Sequence, residues 1–348
     1  MRRELVTWSI VLGLIIAAFV TTVLIVNSTL FSSSGFVRSY LGALARHDMP
    51  SALQIADIHL AEEHGASSDD GSGATPIDTT GAGSMLLAGS HDLLRPSALS
   101  TIEDIELAER TVNANGTETV TFVFDLDGNT SRSTFTVERD GSRFGVFADW
   151  KFVTPPLSIV RLTVANAQGF TANGSEFVTP TQDTPSPYVV LTPSSFDISH
   201  TSTFLTAEPI RVSATDPGKT VRARLDVVAN DAMVAQVQRE VNDYLDECAT
   251  QVVLLPTGCP FGQPMANRIV TTPEWSMATY PEVTLVPGSA TGSWLMPATD
   301  GAAHLTVDVR SIFDGSVSTF DEDVDFTASY LVTFMPEDEL LITAQYPN

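Results

Sequence analysis

The sequence predicts a β-rich chain of the α+β class, made of an N-terminal transmembrane helix, an α+β domain, a small β-sandwich and a second α+β domain. Three observations carry this prediction. An uncharged apolar run lies near the N-terminus, many short segments of alternating β-formers lie between turn residues, and a helical pattern precedes two such groups of strands. A length of 348 residues suffices for two or three domains with cores of their own.

Residues 1–30 predict a cytoplasmic stub and a membrane anchor. Residues 5–26 contain no charged side chain, and a helix of this length crosses a bilayer core of about 30 Å. A buried core helix would show a polar face, and a cleaved signal peptide would have a shorter apolar run with a small-residue cleavage site, which residues 26–28 do not form. Arg2 and Arg3 precede the run, so the C-terminal ectodomain is expected outside the cell membrane.

Residues 31–153 predict an α+β domain, because helical spacing comes first and antiparallel strand signals follow. Apolar side chains recur on one helix face, and the strands alternate around turn residues. The predicted elements are a helix over 36–44 capped by Ser33 or Ser34, a short helix from Pro50, strands over 119–125 and 133–138 joined by a turn at 127–129, and a strand over 144–152 behind a turn at Asp140-Gly141.

A low-complexity segment interrupts this domain at residues 65–84. Gly, Ser, Ala, Thr and Asp dominate it. Such a composition buries too little apolar area to offset the entropy of ordering, so the segment is predicted to be a flexible loop.

Residues 154–230 predict a small β-sandwich that begins after an extended joint at Pro155-Pro156. Turn residues are dense here, and no helical spacing occurs between them. The predicted strands are residues 157–164, 188–192, 210–214 and 221–228.

Residues 231–348 predict a second α+β domain, which repeats the order of a helix followed by an antiparallel sheet. The helix is capped by Asn230 or Asp231, and its apolar face is expected to contain Val234, Val237, Val241, Leu245 and Cys248. The predicted strands are residues 282–286, 304–309, 324–326, 330–334 and 340–344.

The two cysteines, Cys248 and Cys259, predict one structural disulfide. They are 11 positions apart across a turn-rich stretch, and a lone pair this close in an exported chain is typical of a disulfide. A redox pair would need C-x-x-C spacing at the start of a helix, whereas Cys248 ends one.

Two sets of motifs resemble known exported proteins. The helix at 36–44, the hairpins and the strand at 146–152 resemble cone-shaped domains of the nuclear transport factor two-like superfamily, which occur in membrane-anchored proteins of Gram-positive bacteria. Residues 244–248, 256–262 and 274–276 resemble a pattern in uncharacterised actinobacterial ectodomain proteins. The resemblance implies a cell-envelope location and domains that act as spacers or binding pockets. It transfers no catalytic residue.

The charge of the chain limits its partners. The formal net charge at pH 7 is −24, which excludes a general nucleic-acid binder because such proteins present a basic surface to phosphates. Residues 154–230, with 5 basic and 6 acidic side chains, are nearly neutral. Arg222 and Arg224 share one predicted strand face there and are candidate ligand contacts. The acidic remainder favours a basic or cation-mediated partner and disfavours flat contact with anionic membranes.

Trp294 is a third candidate ligand contact. It lies between turns in Gly292-Ser293-Trp294, where an indole lines a carbohydrate groove if it is exposed. Trp150 and Trp275 lie in strand-like segments, where core packing is the commoner role.

Motifs for metals, cofactors and catalysis do not fit their geometric requirements. His59 and His64 are five positions apart, so about 140° separates them on a helix and they do not form a zinc pair. Residues 321–325 lack the glycine and glutamate of an EF-hand, although Asp321, Asp323 and Asp325 share a strand face that would suit a weak surface cation site. Nucleophile, phosphate-loop and dinucleotide motifs are missing from the sequence. We therefore expect no catalytic residue, no metal ligand and no cofactor.

These observations predict a single-pass, membrane-anchored, extracytoplasmic binding or scaffold protein of the cell envelope. Its expected partners are the membrane, through residues 5–26, and an envelope protein or a cell-wall component. The alternative is an envelope hydrolase or isomerase that uses a pocket in a cone-shaped domain, for which an apolar pocket lined by a histidine and a carboxylate would be the sign.

Overall fold

The computed structural model describes residues 2–29, 31–60, 81–143, 147–335 and 339–345. Strands outnumber helices, so the predicted β-rich character of the chain is confirmed. The boundaries predicted after residues 153 and 230 rest on composition and stay predictions. The chain divides into two compact units, one of Met1–Thr163, Gly169–Ser199 and Pro209–Leu225, the other of Val164–Gln168, His200–Glu208 and Asp226–Asn348.

The first helix, α1, runs from Arg2 to Thr29. Among its described side chains, those of Trp8, Ile15 and Phe19 are more than half exposed. Within the described residues, no helix combines the length and the apolar character that a membrane span requires. The predicted anchor therefore stays a prediction from the sequence.

Three short helices precede the first sheet, and both helices predicted there are confirmed. The N-cap of the first is Ser32 and not Ser33 or Ser34, because the Ser32 hydroxyl accepts a hydrogen bond from the Gly35 amide at 3.0 Å. Asp48 caps the second through its side chain. The helices are α2 (Ser33–Ala45), α3 (Met49–Ile55) and α4 (Gly81–Leu86).

The predicted loop at 65–84 is wrong at its C-terminal end. Residues 65–80 lie outside the described residues, whereas residues 81–84 belong to α4. Ala82 is buried, and Met85 and Leu86 pack against the core next to α2. These two apolar side chains come directly after the predicted loop and stabilise a short helix that begins inside it. The composition of residues 65–84 alone does not indicate this helix.

The first sheet is antiparallel, with the strand order β1-β2-β3-β4. Its predicted hairpin turn is confirmed, since Asp127 and Gly128 both have positive φ between paired residues Leu126 and Asn129. The strands are β1 (Ile102–Val112), β2 (Glu118–Leu126), β3 (Asn129–Arg143) and β4 (Phe147–Phe152).

Two features of this sheet differ from the predictions. Asp140-Gly141 is not a turn, because β3 continues through it with a register shift between Arg139 and Ser142, and the φ of +97° at Gly141 suits a bulge. β1 was not predicted, since charged side chains fill it. It forms at the edge of the sheet, where most of its side chains are exposed.

Seven further strands follow one another in the order β7-β6-β9-β10-β11-β5-β8, and the predicted small β-sandwich stays a prediction. The four predicted strands are confirmed, and Asn173 with Gly174 makes the turn of an added hairpin. Turn spacing identifies strands but does not fix which strands pair. The strands are β5 (Leu157–Ala165), β6 (Gly169–Ala172), β7 (Ser175–Val178), β8 (Ser186–Leu191), β9 (Ser194–Thr201), β10 (Leu205–Ala214) and β11 (Thr220–Ala229).

The last helix, α5 (Asp231–Ala249), is confirmed with Asn230 as its N-cap. Its buried face contains Met233 in place of the predicted Val234, while Val237 and Val241 are buried as expected. The predicted disulfide is also confirmed: Cys248 and Cys259 are bonded, with 5.8 Å between their Cα atoms.

The sheet after α5 is built around one long hairpin. Strand β15 pairs with β16 along its length and also with β12, β13 and β14, while β17 covers the other side of β16. Residues 282–285 do not form the strand predicted over 282–286, because a proline precedes them and the amide of Val283 donates instead to Gln238; only Val286 belongs to a strand. The strands are β12 (Arg268–Ile269), β13 (Glu274–Thr279), β14 (Val286–Pro287), β15 (Ser293–Arg310), β16 (Val317–Phe334) and β17 (Leu340–Ala344).

Candidate functional site

The clearest candidate site is a cleft of about 300 Å³ in the first unit, lined by three arginines. Arg161 comes from β5, and Arg222 and Arg224 come from β11, its neighbour in the sheet. Side chains two positions apart on a strand share a face, so β11 presents its two guanidinium groups on the same side. Among the described residues the lining is Arg161, Thr163, Pro185, Arg222, Ala223 and Arg224.

Positive charge is concentrated in this cleft. The residues that line the cleft include three of the 5 basic side chains of residues 154–230. Arg211, by contrast, is neutralised by Asp197 through two hydrogen bonds of 2.7 and 2.9 Å. No ion pair joins Arg161 or Arg222 to a carboxylate in the part of the chain that the structure describes. The cleft therefore presents cationic hydrogen-bond donors to solvent.

The chemistry of the lining suits an oxyanion. A guanidinium group offers five N–H donors in a planar fork that matches the oxygen atoms of carboxylates and phosphates. The sequence pointed to Arg222 and Arg224, and the structure places both in the cleft. The sequence did not indicate Arg161. This residue lies 61 positions before Arg222, and the two are close only because β5 and β11 are neighbours in the sheet. The available signal was the one charged side chain within a predicted strand of mostly apolar residues.

A second cleft, of about 350 Å³, lies beside α2 and β4 in the first unit. Its walls include Phe31, Phe36 and Trp150, and the Trp150 indole donates a 2.8 Å hydrogen bond to the Phe31 carbonyl. Lys151 pairs with Asp140 at 3.1 Å, and hydrogen bonds to that carboxylate raise the pKa of Lys151. The described residues that line this cleft include carboxylates but no histidine.

Apolar side chains fill the space between α2 and the first sheet. Tyr40, Phe122 and Phe135 are completely buried, and the Tyr40 ring meets the rings of Phe135 and Phe152 at 6.1 and 5.3 Å. Burial raises the pKa of Tyr40 well above its ordinary value, against the opposite effect of its hydrogen bond to the Thr192 carbonyl. This interior is a packed core and not a ligand pocket.

The second unit has a smaller cleft, of about 230 Å³, beside the disulfide. Tyr244, Cys259 and Tyr330 line it together with parts of β16 and residues near the end of β17. Neither a histidine nor a carboxylate is among its lining residues. The two clefts near the predicted α+β domains thus lack the pair of groups that would indicate a hydrolase or an isomerase.

Trp294 is buried, with 1% of its surface exposed. It lies at the start of β15, where it pairs with Val332 of β16 and Pro287 of β14. Its indole nitrogen is among the buried polar atoms without a hydrogen-bond partner in the described structure. The structure thus places this side chain in the core of the sheet, and its contact with a ligand stays a prediction.

The acidic stretch of β16 faces a histidine on the neighbouring strand. Asp323 Oδ1 lies 2.7 Å from Nδ1 of His304, and Asp321 Oδ1 lies 3.1 Å from Nε2. Hydrogen bonds with Asp323 and Asp321 raise the pKa of His304, while hydrogen bonds from Thr306 and His304 lower the pKa of Asp321. Among the described residues no group of histidine, cysteine or acidic side chains is arranged to hold a metal ion.

The remaining histidine candidate is only partly described. His59 Nε2 lies 3.4 Å from Asp57 Oδ1, and both side chains are largely exposed. His64 lies outside the described residues.

Comparisons with known proteins returned no matching family model, no similar curated protein and no similar solved structure. The resemblance to nuclear transport factor two-like domains and to actinobacterial ectodomain proteins therefore stays an expectation from the sequence.

Proposed function

We propose that the chain is a single-pass, membrane-anchored protein of the cell envelope that acts outside the cytoplasm by binding a partner or by serving as a scaffold. In this proposal residues 5–26 hold it in the membrane and the residues after 30 form its ectodomain. Its first domain is of the cone-shaped type, and it does not catalyse a reaction.

Two observations support the location. The uncharged run at residues 5–26 follows Arg2 and Arg3, and several large apolar side chains of α1, such as Phe19, are exposed. The bond between Cys248 and Cys259 suits an oxidising compartment, because thiols are kept reduced in most cytosols.

The arginine-lined cleft is the observation that carries the binding role. The chain as a whole is strongly acidic. Within its nearly neutral residues 154–230, however, three cationic side chains line a cleft of about 300 Å³. Clefts with a few convergent charged groups are the usual form of ligand sites. The enzyme alternative has weaker support, because aromatic side chains fill the interior of the first domain and the clefts beside both α+β parts lack histidine.

The location is tested by labelling intact cells with a membrane-impermeant maleimide. Phe313→Cys places a thiol at a position that is 94% exposed, and Glu4→Cys places one in the predicted cytoplasmic stub. We expect the first variant to react in intact cells and the second only after the cells are opened. The opposite pattern, or equal labelling of both, would overturn the proposed orientation.

The binding role is tested with the full chain in nanodiscs of zwitterionic lipid. Co-sedimentation with purified cell-wall fragments and crosslinking in native membranes would each reveal a partner. We expect retention on the wall fragments or a reproducible crosslinked envelope protein. Failure of both assays with correctly oriented, folded protein would overturn the binding or scaffold role.

A further inference from the structure

We propose that the cleft formed by Arg161, Arg222 and Arg224 is a binding site for a phosphate-type oxyanion with two or more negative charges, such as a phosphomonoester or a pyrophosphate group. This inference rests on the proposed function, because it names the class of ligand that the ectodomain would bind. It is argued from the number of donors, their placement and the charge around them.

The donors come from two neighbouring strands of one sheet, so their Cα positions are fixed by the backbone. Arg161 lies on β5, and Arg222 and Arg224 lie on one face of β11. Thr163 lies two positions after Arg161 on β5 and so shares its face. Sites on strands hold ligand groups more precisely than sites on mobile loops.

The number of donors favours phosphate over carboxylate. Arg161 and Arg222 alone supply up to about 10 N–H donors, whereas a carboxylate accepts at about four lone-pair sites and neutralises one of their two positive charges. A phosphomonoester presents three terminal oxygens and about 1.5 to 2 negative charges near pH 7. The Thr163 hydroxyl adds a neutral donor to the same lining. A group of the phosphate type therefore accepts hydrogen bonds from more of the donors in the cleft, and neutralises more of its charge, than a carboxylate does.

Most of the acidic excess behind the net charge of −24 lies outside residues 154–230, which carry 5 basic and 6 acidic side chains. Exposed charges farther away than the Debye length, about 8 Å at physiological ionic strength, are largely screened. The ligand in the cleft meets the guanidinium groups within that distance. The acidic remainder of the chain slows the approach of a polyanion at low salt and leaves the contact itself attractive.

Calorimetric titration of the full chain in zwitterionic nanodiscs tests the site, with pyrophosphate, inorganic phosphate and malonate as probes. Arg161→Gln and Arg222→Gln each remove one guanidinium group from the cleft. Lys219→Gln is the matched control, because it removes one exposed positive charge close to the start of β11 from a side chain that does not line the cleft.

We expect pyrophosphate to bind at least tenfold more tightly than malonate, and each arginine variant to weaken it about tenfold or more. Lys219→Gln should change the affinity less than twofold. Equal losses for Lys219→Gln and Arg222→Gln, equal binding of malonate, or no binding of any probe would overturn the site. Circular dichroism confirms that each variant is folded.

A competition experiment distinguishes the sources of the phosphate group. A soluble sugar phosphate and phosphatidate in the nanodisc are each added against bound pyrophosphate. Displacement by either supports the site and identifies whether a soluble compound or a lipid supplies the group, and displacement by neither overturns it. Wall retention that is unchanged in Arg161→Gln and Arg222→Gln would overturn this site and leave the proposed binding role intact.

Discussion

The two helix-and-sheet regions of the chain hold their helices in different ways. Helix α2 is held by buried polar groups: the Tyr40 hydroxyl donates to the Thr192 carbonyl at 2.9 Å, and the Ser33 hydroxyl donates to Glu118. Helix α5 is held at its C-terminal end by the disulfide from Cys248 to Cys259. Both helices also bury an apolar face, so α5 differs from α2 by the covalent bond at its C-terminal end.

The aromatic packing near each helix also differs between the two regions. Under α2 the rings of Tyr40, Phe135 and Phe152 form one aromatic cluster. After α5, Phe261 follows the disulfide closely and packs on Trp275 and Phe326 at 5.1 and 5.5 Å. The disulfide thus fixes a turn-rich loop whose Phe261 packs on the sheet that follows α5. In the first region the corresponding contacts come from α2 and the strands themselves.

Removing a ring from the first region has the largest expected effect. Phe135→Ala deletes a completely buried side chain between Tyr40 and Phe152, and such deletions cost about 3–5 kcal/mol. Hydrogen exchange should show faster exchange in α2 and β2 and little change in α5. Phe313→Ala, at a 94% exposed position, is the control and should change neither region. Equal loosening of both regions would show that they unfold together.

Removing the disulfide is expected to affect the second region. Cys248→Ser with Cys259→Ser opens a loop closed by residues 11 apart, which costs about 3 kcal/mol by the loop-entropy estimate. Exchange should accelerate in α5 and in the loop that contains Phe261, while α2 stays protected. Unchanged protection of α5 would mean that its apolar face, and not the disulfide, holds the helix.

Local patterns predicted most of these elements, because apolar spacing and turn residues act over a few positions. The helices α2 and α5, the turn at Asp127-Gly128 and the disulfide follow from such patterns. The edge strand β1 was not predictable, since its side chains are charged and its pairing with β2 stabilises it. Met233 replaces Val234 in the core because packing, and not hydropathy alone, selects the buried face.

Prediction of the candidate site was limited by strand pairing. Arg222 and Arg224 were identified from their spacing within one strand. Arg161 and His304 were missed, because their partners lie on other strands and no local pattern gives the register. Trp294 is a predicted ligand contact because turn residues surround it in the sequence. In the structure Gly292, with its positive φ, leads directly into β15, and the indole is buried there.

The polar anchor of α2 is expected to contribute less than the aromatic cluster. Glu118→Gln weakens the contacts with Ser33 and with Arg110, which lies 2.8 Å away, and we expect a loss of about 1–3 kcal/mol in the free energy of unfolding. Glu109→Gln, at an exposed position of β1, is the control and should have little effect.

The anchor also predicts a dependence on pH. Burial acts to raise the pKa of Glu118, but hydrogen bonds from Arg110 and Ser33 outweigh it and lower the pKa below the ordinary value of 4.5. Its contribution is therefore complete above the unfolded pKa and is lost as the pH falls through the folded pKa. Urea titrations of the wild type and Glu118→Gln should converge in acid. A gap that stays constant down to pH 3 would contradict the ionic role of this anchor.

The smallest expected effect lies in the second region, where His304 joins Asp323 and Asp321 across the strands. Because these bonds raise its pKa above 6.5, the contribution of His304 is complete below that value and is lost as the pH rises through the folded pKa. The two carboxylates are largely exposed to water, which screens the contact, so the loss of stability should be small. Unfolding of wild type and His304→Gln compared at pH 5.5 and 9 measures it. A wild-type advantage that grows with pH would reverse the sign and show that the neutral imidazole is the form stabilised by the two carboxylates.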